Sequence, residues 1–217
     1  MGIGLLGIGN MGRAMAERLV EVGEAPVLWN RSAGKAETVV GASVAATPAE
    51  VVRQCDVVIG ALANDAALEV AYCGADGLLG APLEDVVIVE TCTTSPETVQ
   101  RLDTAVTGAG GLFLECPVGG TIGPARQGAL LGMAGGSDEA FARARPALGH
   151  LTRRLVHLGP VGTGAAMKLA VNLPLMVYWA ALGEALGLVL RKGIDPADAL
   201  DCLAASSGAP AGARNWT

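Results

Sequence analysis

The chain reads as an α/β protein: a doubly wound parallel sheet, then a long interdomain helix, then an incomplete all-helical part. Three observations carry that expectation. Apolar runs at residues 3–8, 26–29, 56–60, 86–89 and 111–114 alternate with helical patterns, as βαβ units require. A glycine-rich turn joins the first run to the first helix. A strongly apolar stretch, Leu173 to Leu190, follows the last strand pattern. The boundary is expected at the glycines before it, giving a sheet domain over 1–161 and, over 162–217, the long helix and the start of a helical domain.

The first run ends in Gly7-Ile8-Gly9-Asn10-Met11-Gly12, and a helical pattern then continues through Met15, Leu19 and Val20 to Gly23. Strand, GxGxxG and helix in this order form a dinucleotide fingerprint, which makes the sheet Rossmann-type. Gly7 makes the tight turn, Gly9 lets backbone N–H groups approach a pyrophosphate, and Gly12 allows close helix–strand packing. The second strand ends at Asn30-Arg31-Ser32. An NAD-selecting site would place a carboxylate near here, whereas Asn30 and the Arg31 guanidinium suit a 2′-phosphate. NADP(H) is therefore preferred, with NAD(H) possible.

A helix over 33–40 and a short strand at 42–44 follow. Thr47-Pro48-Ala49-Glu50 then starts a helix, with Thr47 as N-cap and Glu50 completing a capping box. Leu62, Ala63 and Asn64 lie at the carboxyl end of the 56–60 strand, where open α/β sheets bind ligands. The 86–89 strand opens into Thr91 to Pro96, where Thr93 is a candidate cofactor contact and Ser95 a helix cap. The 111–114 strand opens into Glu115 to Ala125, whose Gly119, Gly120 and Thr121 expose backbone N–H groups able to hold a carboxylate. A strand at 130–134, a helix over 138–148 and a strand at 154–158 close the domain.

Gly162 to Asn172 then reads GxGxxxKxxxN. Lys168 and Asn172 share one helix face and are the only polar side chains between Thr163 and Tyr178. An ammonium there either snorkels to water or serves as a proton donor held in a cleft. Leu173 to Leu190 is expected as a long buried helix between domains or subunits, not a membrane span, because Pro174, Gly183 and Glu184 interrupt it. Asp195-Pro196 starts a further helix, and 206–217 is small, polar and Gly-rich.

The net charge of −6 and the absence of a basic stripe argue against a nucleic-acid partner. The two histidines and five cysteines have no metal-ligand spacing, so no metal is expected. Scattered, odd-numbered thiols suit a reducing compartment, each read as a small buried hydrophobe. With no signal-peptide pattern, the expected location is cytoplasmic.

These motifs together resemble the β-hydroxyacid dehydrogenases, which include 3-hydroxyisobutyrate dehydrogenase, tartronate semialdehyde reductase and the glyoxylate/succinic semialdehyde reductases. Imine reductases are more distant relatives. Residues 7–17 look like the family's cofactor loop, Asn30-Arg31-Ser32 like its NADP-using variant, Thr93 like its strand-end hydroxyl, 115–125 like its substrate loop, and 162–172 like its catalytic motif. The resemblance implies hydride transfer between the cofactor and a small carboxylate-bearing hydroxyacid or its semialdehyde. Lys168 would be the general acid/base and Asn172 its positioning partner, with Gly119, Gly120 and Thr121 on the carboxylate. The family's loop has a serine where this chain has Gly119, and its further helices carry a second cofactor-contacting lysine with no counterpart here. The alternatives are imine reduction on the same fold and an inactive dinucleotide-binding module. A homodimer or higher homo-oligomer is expected from the apolar helix.

Overall fold

The computed structural model describes residues 1–206, 208 and 209. Most of the 206–217 tail therefore lies outside the described residues. The chain separates into two compact units, Met1–Lys168 and a second from Leu169 onward.

The first unit contains β1 (Ile3–Leu6), α1 (Asn10–Glu21), β2 (Val27–Trp29), α2 (Ala33–Ala36), β3 (Ser43–Val44), α3 (Pro48–Val52), β4 (Val57–Gly60) and α4 (Asp65–Cys73). It continues with β5 (Val87–Glu90), α5 (Pro96–Gly108), β6 (Leu112–Glu115), β7 (Val118–Gly119), α6 (Ile122–Arg126), β8 (Leu130–Gly136), α7 (Asp138–Gly149) and β9 (Thr152–His157). The helix α8 (Thr163–Leu190) begins in this unit and runs into the second, which also holds α9 (Pro196–Ala205).

The strand order is β3-β2-β1-β4-β5-β6-β8-β7, with β9 paired to β8. From β3 to β6 every pairing is parallel, and β8 is antiparallel to β6 and to β7. The order reverses between β1 and β4, which makes the crevice above their carboxyl ends the ligand position of such a sheet.

Strand side chains alternate between two buried layers. Val57, Ile59, Val87, Val89 and Leu114 pack with α1 and α7 on one face. Val58, Ile88 and Phe113 pack with α3, α4 and α5 on the other. Both faces are covered, which explains why these strands read as continuous apolar runs.

Local chemistry sets the helix starts. Thr47 accepts a hydrogen bond from the Glu50 N–H at 3.1 Å, Ser95 from Thr98 N–H at 3.2 Å, and Asp195 from Ala197 N–H at 2.8 Å. Glu50 does not close the expected box on its cap residue. Its carboxylate takes the Ala46 N–H instead, at 2.8 Å. The helix expected over 33–40 stops at Ala36.

The 173–190 helix, expected to be buried between domains or between subunits, is not buried within this chain. Of the residues in α8, only Gly164 and Ala165 are buried, while Leu173 is 64% and Leu188 75% exposed. Apolar side chains occur on every side of it, so no single stripe faces a core. In length and composition it is a helix able to cross a membrane.

Candidate active site

The site is built at the reversal of strand order. Gly7 has a φ of +94°, a left-handed turn open to glycine, and its N–H donates to the Trp29 carbonyl at 2.8 Å. Gly12 is packed so closely that a Cβ would strike the Gly7 carbonyl oxygen. Gly9 has no atom within 4 Å of a Cβ position. It is the N-cap of α1 and supplies no side-chain cap, so the first-turn N–H groups are left for an anion.

A crevice of about 340 Å³ lies over this turn. Gly7, Gly9, Asn10, Met11 and Gly12 line it, together with Asn30, Arg31, Ser32, Leu62 and Ala63. Ala61 also lines it, and Lys35, Trp29, Ala67 and Val70, none of them anticipated from the sequence, complete the lining. Lys35 lies four residues after Arg31, within α2, and that spacing was the available signal. An open glycine, an uncapped helix start and two cations fit a phosphate-rich dinucleotide.

Three of the expected cofactor residues have structural work as well. Ile8 N–H donates to Asn30 Oδ1 at 2.9 Å, and Asn30 Nδ2 donates to the Ser32 carbonyl at 2.9 Å. Ile8 and Asn30 therefore lock the fingerprint turn to the end of β2. Asn64 caps α4, its Oδ1 accepting from Ala67 N–H at 3.0 Å, and it stands outside the crevice lining.

A second cleft, about 270 Å³, is lined by Lys168, Thr93, Val118, Gly120, Thr91 and Cys92, and shares Met11, Ala61 and Leu62 with the first. Lys168 is half-buried, and burial pushes its ammonium below the ordinary lysine value. Of the loop expected to hold a carboxylate, Gly120 reaches the cleft, with φ +131°. Gly119 ends β7, paired with Leu131, and Thr121 is the exposed N-cap of α6. Asn172 is one helical turn beyond Lys168 on α8, in the second unit.

Beneath the shared wall lies a buried polar cluster that the sequence did not reveal. Glu90 has no exposed surface; it accepts from the Tyr72 hydroxyl at 3.0 Å and the Cys92 N–H at 3.0 Å. Burial raises both the Glu90 carboxyl and the Tyr72 hydroxyl, and the neighbouring carboxylate raises the tyrosine further. The Cys92 thiol donates to the Leu62 carbonyl at 2.8 Å and accepts the Leu62 N–H at 3.0 Å, fastening the crevice wall. The expectation that each cysteine is a buried hydrophobe therefore holds for Cys55 and Cys116 but not for Cys92, nor for the exposed Cys73 and Cys202. Tyr72→Phe removes a donor from a buried carboxylate and is expected to cost about 1–3 kcal/mol in urea unfolding. An unchanged midpoint would show that the hydroxyl contributes nothing.

The reversal crevice, the uncapped glycine turn and the strand order define a dinucleotide-binding Rossmann domain. The family model described as the NAD binding domain of 6-phosphogluconate dehydrogenase matches residues 2–159. Glyoxylate/succinic semialdehyde reductase 1 of Arabidopsis thaliana is 37% identical over 206 residues, which is 94% of this chain and 71% of that protein. The mitochondrial 3-hydroxyisobutyrate dehydrogenase of Bos taurus is 34% identical over 208 residues, 95% of this chain and 62% of that protein. Among solved structures, a 3-hydroxyisobutyrate dehydrogenase from Salmonella typhimurium superposes with a TM-score of 0.90 at 25% identity, covering 99% of this chain and 76% of that one. A reductive aminase from Aspergillus terreus, in complex with NADPH and ethyl-5-oxohexanoate, gives 0.82 at 26%, covering 94% and 71%. The chain belongs to the β-hydroxyacid dehydrogenase family, whose members named here are dehydrogenases and reductases.

Proposed function

We propose that this protein is an NADP-dependent oxidoreductase that interconverts a small hydroxyacid and its semialdehyde or keto form, with Lys168 as general acid/base. The observation that carries this reading is the shared wall. Met11, Ala61 and Leu62 border both the fingerprint crevice and the cleft lined by Lys168. These three residues would therefore connect a dinucleotide held in the first with a substrate held in the second. When bound, NADPH supplies a hydride to the carbonyl carbon of the substrate. Lys168 gives a proton from Nζ to the carbonyl oxygen as negative charge develops there, and takes it back in the oxidation direction. Gly120 and its loop neighbours Gly119 and Thr121 are the proposed carboxylate contacts, and Asn172 is the proposed positioning partner of Lys168.

Assay of NADPH and NADH oxidation with small semialdehydes and keto acids tests the reading, and NADPH binding without turnover on any of them would count against it. The likeness to a reductive aminase keeps imine reduction as a second reading. Imines reduced faster than aldehydes would favour it, whereas Lys168 favours the carbonyl substrate.

The proposed preference for NADP rests on Arg31 and Lys35, two cations at one end of the crevice. Arg31→Ala and Lys35→Ala are each expected to raise the NADPH KM by about tenfold or more, since a charge-assisted bond to phosphate is lost, with the NADH KM little changed. Equal effects on both cofactors would place the two cations elsewhere. The apolar surface of α8, including Leu173, Met176 and Val177, is proposed to be covered by a second copy of the chain. Free thiols throughout fit a cytoplasmic enzyme.

A further inference from the structure

Glu115 ends β6 with no exposed surface, yet carries a carboxylate. Its partners are neither cations nor ligands. Oε1 accepts from Gly162 N–H at 2.5 Å and Gly164 N–H at 2.9 Å, and Oε2 from Ala165 N–H at 2.9 Å. These are N–H groups at the start of α8, the helix that carries Lys168 three residues further on. The helix has no cap of its own from Gly162, which lacks a side chain and sits at φ +102°. A residue 47 to 50 positions earlier in the chain does that work.

The surrounding backbone is shaped for this carboxylate. A Cβ on Gly135 would strike Glu115 Oε1, and a Cβ on Gly164 would lie 3.2 Å from its Cδ and against the Met133 carbonyl. Two glycines thus leave the space in which the carboxylate meets the helix. Burial pushes the Glu115 carboxyl up, while the three N–H donors pull it down. The helix dipole further favours negative charge at this end. Beyond Glu115 the chain passes through Cys116 and Pro117 to Val118 and Gly120, which line the Lys168 cleft. One side chain therefore ties the start of the substrate loop to the start of the catalytic helix.

We propose that Glu115 is a positioning residue for the reaction: it acts through Lys168, setting the height and direction at which that ammonium enters the cleft. This rests on the assignment of Lys168 as the proton donor. Glu115 is not among the residues that line the fingerprint crevice, so its loss should spare cofactor binding.

The test compares Glu115→Gln, Glu115→Asp, Lys168→Ala and the double variant Glu115→Gln/Lys168→Ala. Glutamine has the same shape, but its amide nitrogen cannot accept the Ala165 N–H. Its kcat is expected to fall by about 10²-fold, the effect of displacing a reacting group by about 1 Å, with NADPH affinity held within about twofold. Aspartate keeps the charge one methylene short, and its kcat is expected to fall by about tenfold or less. The double variant should be no slower than Lys168→Ala alone, because residues acting as a unit are not additive. Wild-type kcat in both Glu115 variants, or a further loss in the double variant, would overturn the proposal. If glutamine prevents folding, the aspartate variant alone decides it, again by a lowered kcat with unchanged NADPH affinity. A fully active Lys168→Ala would overturn the underlying assignment instead, which keeps the two failures distinct.

Discussion

Lys168→Ala is expected to lower kcat by about two to four orders of magnitude while NADPH affinity stays within about twofold. The asymmetry follows from geometry. Lys168 lines the second cleft and not the fingerprint crevice. Lys168→Arg should not rescue the reaction, because a guanidinium keeps its proton across the working range. The pH profile adds a sign. With Lys168 as the proposed proton donor, reduction needs the ammonium, so kcat/KM for reduction is expected to fall as pH rises through the Lys168 pKa. Burial holds that pKa below the ordinary lysine value of 10.5, so the alkaline limb lies below it. Oxidation needs the free amine and should rise over the same interval. Steady-state kinetics in both directions, across pH, checks this. A mutant with wild-type kcat, or reduction that speeds up with alkali, would remove Lys168 from the mechanism.

Gly12→Ala and Gly9→Ala, two glycines of one motif, are expected to fail in different ways. A Cβ on Gly12 would strike the Gly7 carbonyl and lie 3.3 Å from the Ala61 Cβ. Gly7 cannot yield, since its positive φ and its hydrogen bond to Trp29 hold the turn. The helix α1 must therefore move off the sheet, at about 1–3 kcal/mol or somewhat more, and NADPH affinity falls with it. A Cβ on Gly9 meets nothing and its φ of −76° suits any residue, but it stands in the crevice where a phosphate would approach. Gly9→Ala should keep the wild-type melting temperature and lose NADPH affinity. Thermal melts paired with NADPH titrations separate these roles. Equal melting temperatures for the two variants would refute them.

Much of this organisation is legible because it is local. The buried parallel strands are continuous apolar runs, the caps at Thr47, Ser95 and Asp195 act over two or three residues, and the fingerprint is a contiguous turn. Such features depend on neighbours in sequence, and elementary backbone chemistry predicts them. The charged pair of Arg31 and Lys35 was half seen, since Lys35 depended on where α2 turns.

The rest was decided by strand order. Glu90 reaches Tyr72 across 18 residues and Cys92 reaches Leu62 across 30, because β4 and β5 lie side by side and α4 covers one face. Asn30 closes on Ile8 because β2 neighbours β1. The same ordering spoils a reading from residue type alone. Asn64 looks like a cofactor contact in sequence, yet its side chain caps α4 outside the crevice lining, while Asn30 lines the crevice and also holds backbone.

By itself, then, the sequence determined the βαβ pattern, the glycine turn, the family and the isolation of Lys168 on an apolar helix. Only the tertiary structure decided that Lys168 shares a cleft wall with the fingerprint crevice, and that Glu115 caps its helix from β6. The physical reason is that a buried carboxylate is tolerated only where donors converge on it. Convergence of N–H groups from residues 162, 164 and 165 upon residue 115 exists only once the sheet has placed them together.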